Sequence, residues 1–156
     1  MKLTSSTFEN NGIIPSQYTC DGDRTKNPPL SITGVPEKAQ SIALIMDDPD
    51  VPKQIKVDRV FDHWILFNIP KKTKEIPEGT SLGILGVNGA GNNSYTGPCP
   101  PPQYEPSEHR YVFKLYALDI MLNLQAGASK KEVFDAMQGH IIGEVELIGK
   151  YKKQQS

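Results

Sequence analysis

Six consecutive residues, Gly97-Pro98-Cys99-Pro100-Pro101-Pro102, limit what this chain can become more than any others. The prolines lock φ and delete amide donors, so neither a helix nor an interior strand can run through them. Gly97 has no Cβ, which permits a turn or a close approach to a ligand. The result is a stiff loop, and it leads into an alternating stretch from His109 to Asp119. There Tyr111, Phe113, Leu115 and Ala117 share one face, and Val112, Lys114, Tyr116 and Leu118 the other. His109 and Tyr111 are two apart and point the same way. A titratable ring and a phenol beside a rigid glycine turn suit an anion-binding corner. The plainer reading is a surface loop entering an ordinary strand.

The rest of the sequence supports a strand-rich protein. Thirteen glycines and thirteen prolines in 156 residues imply many turns, and the length suits one domain over residues 1–156. Ser41–Met46 is a continuous apolar run of strand length, which predicts a central strand buried on both faces. It ends in Asp47-Asp48-Pro49-Asp50-Val51-Pro52. His63–Ile69 predicts a second apolar strand, and Leu30–Ile32 a short one. Ile142–Ile148 predicts a closing strand with Val145 and Leu147 inward and Glu144 and Glu146 outward. Ser129 followed by Glu132 is a capping box, and Gly139 stops the helix it opens. Leu82–Asn93 is glycine-rich but lacks a Gly-Lys-Ser/Thr element, so it reads as a flexible loop rather than a phosphate loop. Tyr151–Ser156 reads as a frayed polar tail. The class is mainly β with one or two short helices.

Lys and Arg total 17 and Asp and Glu 18, for a net charge of −1. That balance argues against nucleic acid or an anionic membrane surface as the main partner. No stretch approaches the length of a membrane span, and the N-terminus has no apolar core of signal-peptide length. Asn92-Asn93-Ser94 fits a glycosylation pattern, a chance match without a secretion signal. Cys20 and Cys99 form neither a disulfide framework nor zinc spacing, so a reduced, cytoplasmic protein is the simplest reading. A Cys20–Cys99 bridge is the alternative, because both flank loops.

Asp48, His63, His109 and Tyr111 each fall at the end of an apolar strand, where rigid elements can present them to one cleft. A carboxylate beside a histidine raises its pKa. The imidazolium, the Tyr111 hydroxyl and amides of the Gly97 loop could then hold a phosphate or carboxylate. Taken singly, Asp48 reads as a turn residue and His63 as a half-buried, satisfied histidine. Two other chemistries use the same residues. Cys99 with His63 or His109 could act as thiol nucleophile and base in a hydrolase, and Asp48, His63 and His109 could bind a metal.

In order along the chain stand Tyr18-Thr-Cys-Asp-Gly, Asn27-Pro-Pro-Leu, Asp48-Pro-Asp-Val-Pro, Asp62-His-Trp-Ile-Leu-Phe-Asn-Ile-Pro, Gly97-Pro-Cys-Pro-Pro and His109-Arg-Tyr-Val-Phe-Lys-Leu-Tyr-Ala-Leu-Asp. Together they resemble the phosphatidylethanolamine-binding protein family, in its short bacterial and archaeal Raf kinase inhibitor-like branch, from about Phe8 to Ile148. The resemblance implies a large antiparallel sheet packed on a smaller one, with short peripheral helices and an anion pocket at one end. By position it implies pocket roles for Asp48, His63, Gly97, Pro101, His109 and Tyr111, with Tyr95 at the border and Asp50 and Cys99 as possible wall. It implies a cis bond at Val51–Pro52. It implies a binding protein for phosphate or a lipid head group, with no cofactor and no metal. The alternative is an inhibitor that meets a kinase or protease, of unknown identity, through the pocket rim. Longer members carry a C-terminal helix over the mouth, whereas this sequence stops soon after its closing strand. An open mouth is therefore expected, with an apolar rim that could pair two subunits. Cys99 stands where other branches carry glycine.

Overall fold

In the computed structural model, which describes residues 1–154, the buried run from Ser41 becomes β4 (Ser41–Asp48), the middle of the protein. It lies between β5 (Phe61–Ile69) and β8 (Glu108–Leu118), antiparallel to both. β8 pairs in turn with β9 (Ile141–Lys152) along nearly its whole length. Two short strands close the edges, β2 (Gly12–Ile13) beside β9 and β7 (Ile84–Leu85) beside β5. The large sheet therefore runs β2-β9-β8-β4-β5-β7. Its pairings are antiparallel except β2 with β9, which is parallel. A smaller antiparallel sheet runs β1 (Lys2–Thr4), β3 (Leu30–Thr33) and β6 (Glu75–Ile76) in the order β1-β3-β6.

β4 is apolar on both sides because the sheet is covered on both. Ile42, Leu44 and Met46 face the small sheet and pack with Trp64, Phe113, Leu115, Ile32 and Leu3. Ala43 and Ile45 face the other way, toward Ile65, Phe67, Leu122 and two residues of the helix α1 (Lys130–Met137), Val133 and Met137. The capping box forms as its spacing predicts: Ser129 accepts from the Glu132 amide, and the Glu132 side chain accepts from the Ser129 amide. The chain leaves the helix through Gly139 at a positive φ of 82°.

Several expectations need correction. β9 does not stop at Ile148 but continues to Lys152, so the tail is not frayed at Tyr151. Tyr151 is buried, its hydroxyl donates to Asp21, and the amide of Gln154 donates to the same carboxylate. Gln155 and Ser156 lie outside the described residues. The glycine-rich segment Leu82–Asn93 contains β7 and is organised around Asn88. The side-chain oxygen of Asn88 accepts from the amides of Ala90 and Asn92, and its amide donates to the Ser94 carbonyl. The cis peptide bond is at Glu105–Pro106 and not at Val51–Pro52. Cys20 and Cys99 form a disulfide with Cα atoms 5.4 Å apart, so neither is a free thiol. The case for a reducing compartment, built on two free thiols, loses its premise. No described helix is long and apolar enough to cross a membrane.

Candidate functional site

The large sheet ends in a hollow of about 300 Å³, lined by Arg24, Asp48, Val51, Ile55, Phe61, His63, Cys99, Pro100, Pro101, His109 and Tyr111. Period-two geometry delivers three of these. Asp48 continues the face of Leu44 and Met46 on β4, while His109 and Tyr111 continue the face of Phe113 and Leu115 on β8. His63 arrives differently. Counting back by twos from Phe67 and Ile65 would put it on the helix side of the sheet. The register breaks there: Met46 pairs with Trp64 but Asp47 pairs with Asp62, leaving His63 as an extra residue. This β-bulge turns His63 to the same side as Trp64 and into the hollow, the usual use of a bulge beside a site.

The bulge also sends Asp62 to the opposite face. There Lys130, the first residue of α1, lies 3.0 Å from Asp62 and 3.0 Å from Asp47, and Lys114 lies 3.3 Å from Asp47. Adjacent residues thus serve opposite faces on both strands: Asp47 and Asp62 hold the helix, Asp48 and His63 line the hollow.

Within the hollow, Asp48 Oδ1 accepts from the Asp50 amide and Oδ2 accepts from His109 Nδ1 at 2.7 Å. The carboxylate thereby fixes the proton of His109 on Nδ1. His63 Nδ1 lies 2.6 Å from the Thr96 carbonyl. A carbonyl only accepts, so that nitrogen carries the proton. Burial holds the His63 pKa below its ordinary value, against the opposing pull of Asp48 and Asp47, and the ring is neutral at pH 7. Phe61 packs edge-on to His63 with centroids 4.8 Å apart, and Tyr111 does the same at 5.2 Å. Burial, then the charge of Asp48, pushes the Tyr111 hydroxyl far above its ordinary pKa, so it stays a phenol and a donor. Among the described residues, the Tyr111 hydroxyl and His109 Nε2 are the two buried side-chain polar atoms without a hydrogen-bond partner.

The structure therefore brings Asp48, His63, Pro101, His109, Tyr111 and Cys99 into one wall. Three other candidates stand outside it. Tyr95 is buried behind the hollow, edge-on to Trp64 with centroids 5.4 Å apart, and donates to the Tyr18 carbonyl at 2.9 Å. Gly97 is required for a different approach from the one expected. A Cβ there would collide with the Tyr18 carbonyl, and its amide donates to the Arg24 carbonyl rather than into the hollow. Asp50 is a clamp on Arg110, accepting from its backbone amide, Nε and Nη2. The Arg110 side chain holds the Asp50 pKa below the ordinary carboxylate range.

Cys99 lines the wall as half of a disulfide, so it offers no thiolate and the thiol-nucleophile reading is corrected. Among the described residues no three His, Cys, Asp or Glu side chains are grouped to hold a metal ion.

Arg24 was not predicted. It is exposed and lies in a polar loop without periodicity, which leaves no local signal for it. The bridge from Cys20 to Cys99, the Cys20 amide donating to the Pro98 carbonyl at 3.1 Å and the Gly97 amide donating to the Arg24 carbonyl at 2.8 Å set it at the mouth. Its charge disfavours protonation of His63 and favours ionisation of Tyr111, so it acts on both groups. Phe61, Val51 and Ile55 complete the apolar part of the wall.

Known proteins agree with this architecture. The family profile described as phosphatidylethanolamine-binding protein matches residues 4–152. A UPF0098 protein of Methanothermobacter thermautotrophicus is 46% identical, over 98% of this chain and 99% of the relative. Another, of Chlamydia trachomatis, is 41% identical over 98% and 99%. The crystal structure of a putative phosphatidylethanolamine-binding protein homologue from Chlamydia trachomatis superposes with a TM-score of 0.91 at 40% identity, covering 97% of each chain. Escherichia coli YbcL, described as a new member of the mammalian family, gives 0.84 at 26% identity over 98% of each chain.

Proposed function

This chain belongs to the phosphatidylethanolamine-binding protein family, and we propose that it is a binding protein whose hollow takes a small oxyanion, either phosphate or the phosphate- or carboxylate-bearing head of a larger molecule. The observation that carries the reading is the pair of buried, unpartnered polar atoms, the Tyr111 hydroxyl and His109 Nε2, in the wall of one hollow. A buried polar group left unpaired costs about 1–3 kcal/mol, which a ligand recovers where its ionised oxygen accepts from the Tyr111 hydroxyl and its O–H donates to Nε2 of the neutral His109 ring, whose proton sits on Nδ1. Arg24 supplies positive charge at the mouth. Val51, Ile55, Phe61 and Pro100 give the remaining wall an apolar character that suits the non-ionic part of a ligand.

Calorimetric titration of inorganic phosphate into the wild type and Tyr111→Phe tests this. The wild type binds saturably, and the variant, which keeps the ring and loses only the hydroxyl, binds about tenfold or more weakly, as expected for a hydrogen bond to a charged group worth about 1.5–3 kcal/mol. Superimposable isotherms would refute the reading.

One observation favours a second reading, an inhibitor that meets a kinase or protease, or a second copy of the chain, through the rim. Ile55 and Val57, on the loop beside the hollow, are 55% and 91% exposed. Val57→Ser, outside the lining of the hollow, leaves phosphate binding unchanged on the first reading and weakens inhibition or pairing on the second.

A further inference from the structure

Hydrogen-bond acceptors and donors both line the hollow, and their inventory bears on which protonation state of an oxyanion fits. Its acceptors are His63, Asp48 and His109, which meets Asp48 through the proton on Nδ1 and so presents the lone pair of Nε2 in its neutral ring. His63 carries its proton on Nδ1, where it meets the Thr96 carbonyl, and this is its one hydrogen bond among the described residues. Its Nε2 is therefore a bare lone pair on the cavity wall. Asp48 is acceptor-only as a carboxylate, and both its oxygens already take protons from His109 Nδ1 and the Asp50 amide. Its donors are the buried hydroxyl of Tyr111 and the guanidinium of Arg24. Arg24 brings a positive charge and Asp48 a negative one, and burial keeps His63 neutral.

A fully ionised oxyanion has only acceptors to offer. Any of its oxygens that meets His63 Nε2, His109 Nε2 or Asp48 sets lone pair against lone pair beside side chains that are themselves buried, where such a mismatch is costly. An oxyacid that keeps one O–H turns that proton to Nε2 and presents its ionised oxygen to Tyr111 and Arg24. Accepting the hollow as an anion site, we infer that its ligand is a singly ionised phosphate or phosphomonoester that retains an O–H, and that His63 is the residue that selects for the proton. Simple carboxylates, sulfate and phosphodiesters lack that proton and are disfavoured.

The groups facing His63 are known on every side. Asp48 comes from β4, Tyr111 from β8, Arg24 and the Thr96 carbonyl from the flanking loops, and Phe61 from its own strand, while Asp47 acts by its charge from the other face of the sheet. Asp48 and Asp47 favour a charged ring, whereas burial and Arg24 oppose it.

The test is calorimetry on the intact, oxidised protein with methyl phosphate, dimethyl phosphate, sulfate and acetate. It is run near pH 6, close to the second pKa of a phosphomonoester at about 6. Methyl phosphate is expected to bind at least tenfold more tightly than the other three. Its affinity should fall as pH rises and the last proton leaves the ligand, approaching tenfold per pH unit. In His63→Asn, whose amide can donate as well as accept, the preference for methyl phosphate over sulfate collapses toward unity. Should that variant not fold, the wild-type ratios decide alone, together with the nitrogen-15 spectrum of the histidines, in which His63 must appear protonated at Nδ1. Sulfate binding as tightly as methyl phosphate, or a His63 protonated at Nε2, overturns the proton selection and leaves the anion site standing. No binding by any of the four overturns both.

Discussion

Replacing Cys20 and Cys99 with serine removes a covalent tie between positions 79 apart in sequence. The local contacts do not depend on that tie. The Cys20 amide still reaches the Pro98 carbonyl, and Gly97 still packs against the Tyr18 carbonyl. The main effect therefore falls on the unfolded chain, which regains the freedom of an open loop. For a loop of this length the chain-entropy account gives about 15 cal/mol/K, or about 4.5 kcal/mol at 25 °C. Unfolding entropy near 60 °C is about 2.1 cal/mol/K per residue, or ~330 cal/mol/K for this chain, so the melting temperature should fall by about 14 °C. Thermal melts followed by far-UV circular dichroism, with and without a phosphine reductant, measure it. The oxidised wild type melts highest, the reduced wild type and the double serine variant melt together below it, and the reductant does not move the variant. The native near-UV bands of the aromatic side chains are the same in all three. A drop below about 4 °C, equivalent to roughly 1 kcal/mol, would refute the loop-closure argument.

Three further outcomes follow from particular side chains. Arg24→Gln weakens phosphate binding by about tenfold or more, the worth of a charge-assisted hydrogen bond, while the melting temperature of this exposed position hardly moves; unchanged affinity in calorimetry would remove Arg24 from the site. Gly97→Ala puts a methyl group onto the Tyr18 carbonyl and costs about 1–3 kcal/mol, read as a lower urea midpoint at constant m-value. His63 has a folded pKa below its unfolded value of 6.5, so its contribution is complete above pH 6.5 and is lost as pH falls toward the folded value. The slope reaches at most about 1.4 kcal/mol per pH unit, and urea titrations across that window should show it shrink in His63→Asn.

The long strands were legible because their patterns are strong. β4 is a continuous apolar run and β8 a clean alternation, and these two patterns place Asp48, His109 and Tyr111 on one face. The orientation of His63 was not legible, because strict alternation from Ile65 and Phe67 points it to the wrong side and only the register with β4 reveals the bulge. β2, β6 and β7 have two residues each, too few for any period to register. Tyr95 and Gly97 both meet the Tyr18 carbonyl, a contact that no local pattern announces. Nothing in a sequence distinguishes a glycine that admits a ligand from one that admits a neighbouring carbonyl. The cysteine pairing needed the third dimension too, since it depends on two loops 79 residues apart meeting side by side.

The back-to-back arrangement on β4 and β5 reaches beyond the hollow itself. Asp47 and Asp48 are joined by one peptide unit, as are Asp62 and His63, so a force on the helix-facing member of either pair moves its cavity-facing neighbour. Lys130 grips both strands from behind. The first turn of helix on the far side of the sheet thus helps to set the spacing between Asp48 and His63. Changes of charge there will be felt as changes in the shape of the hollow.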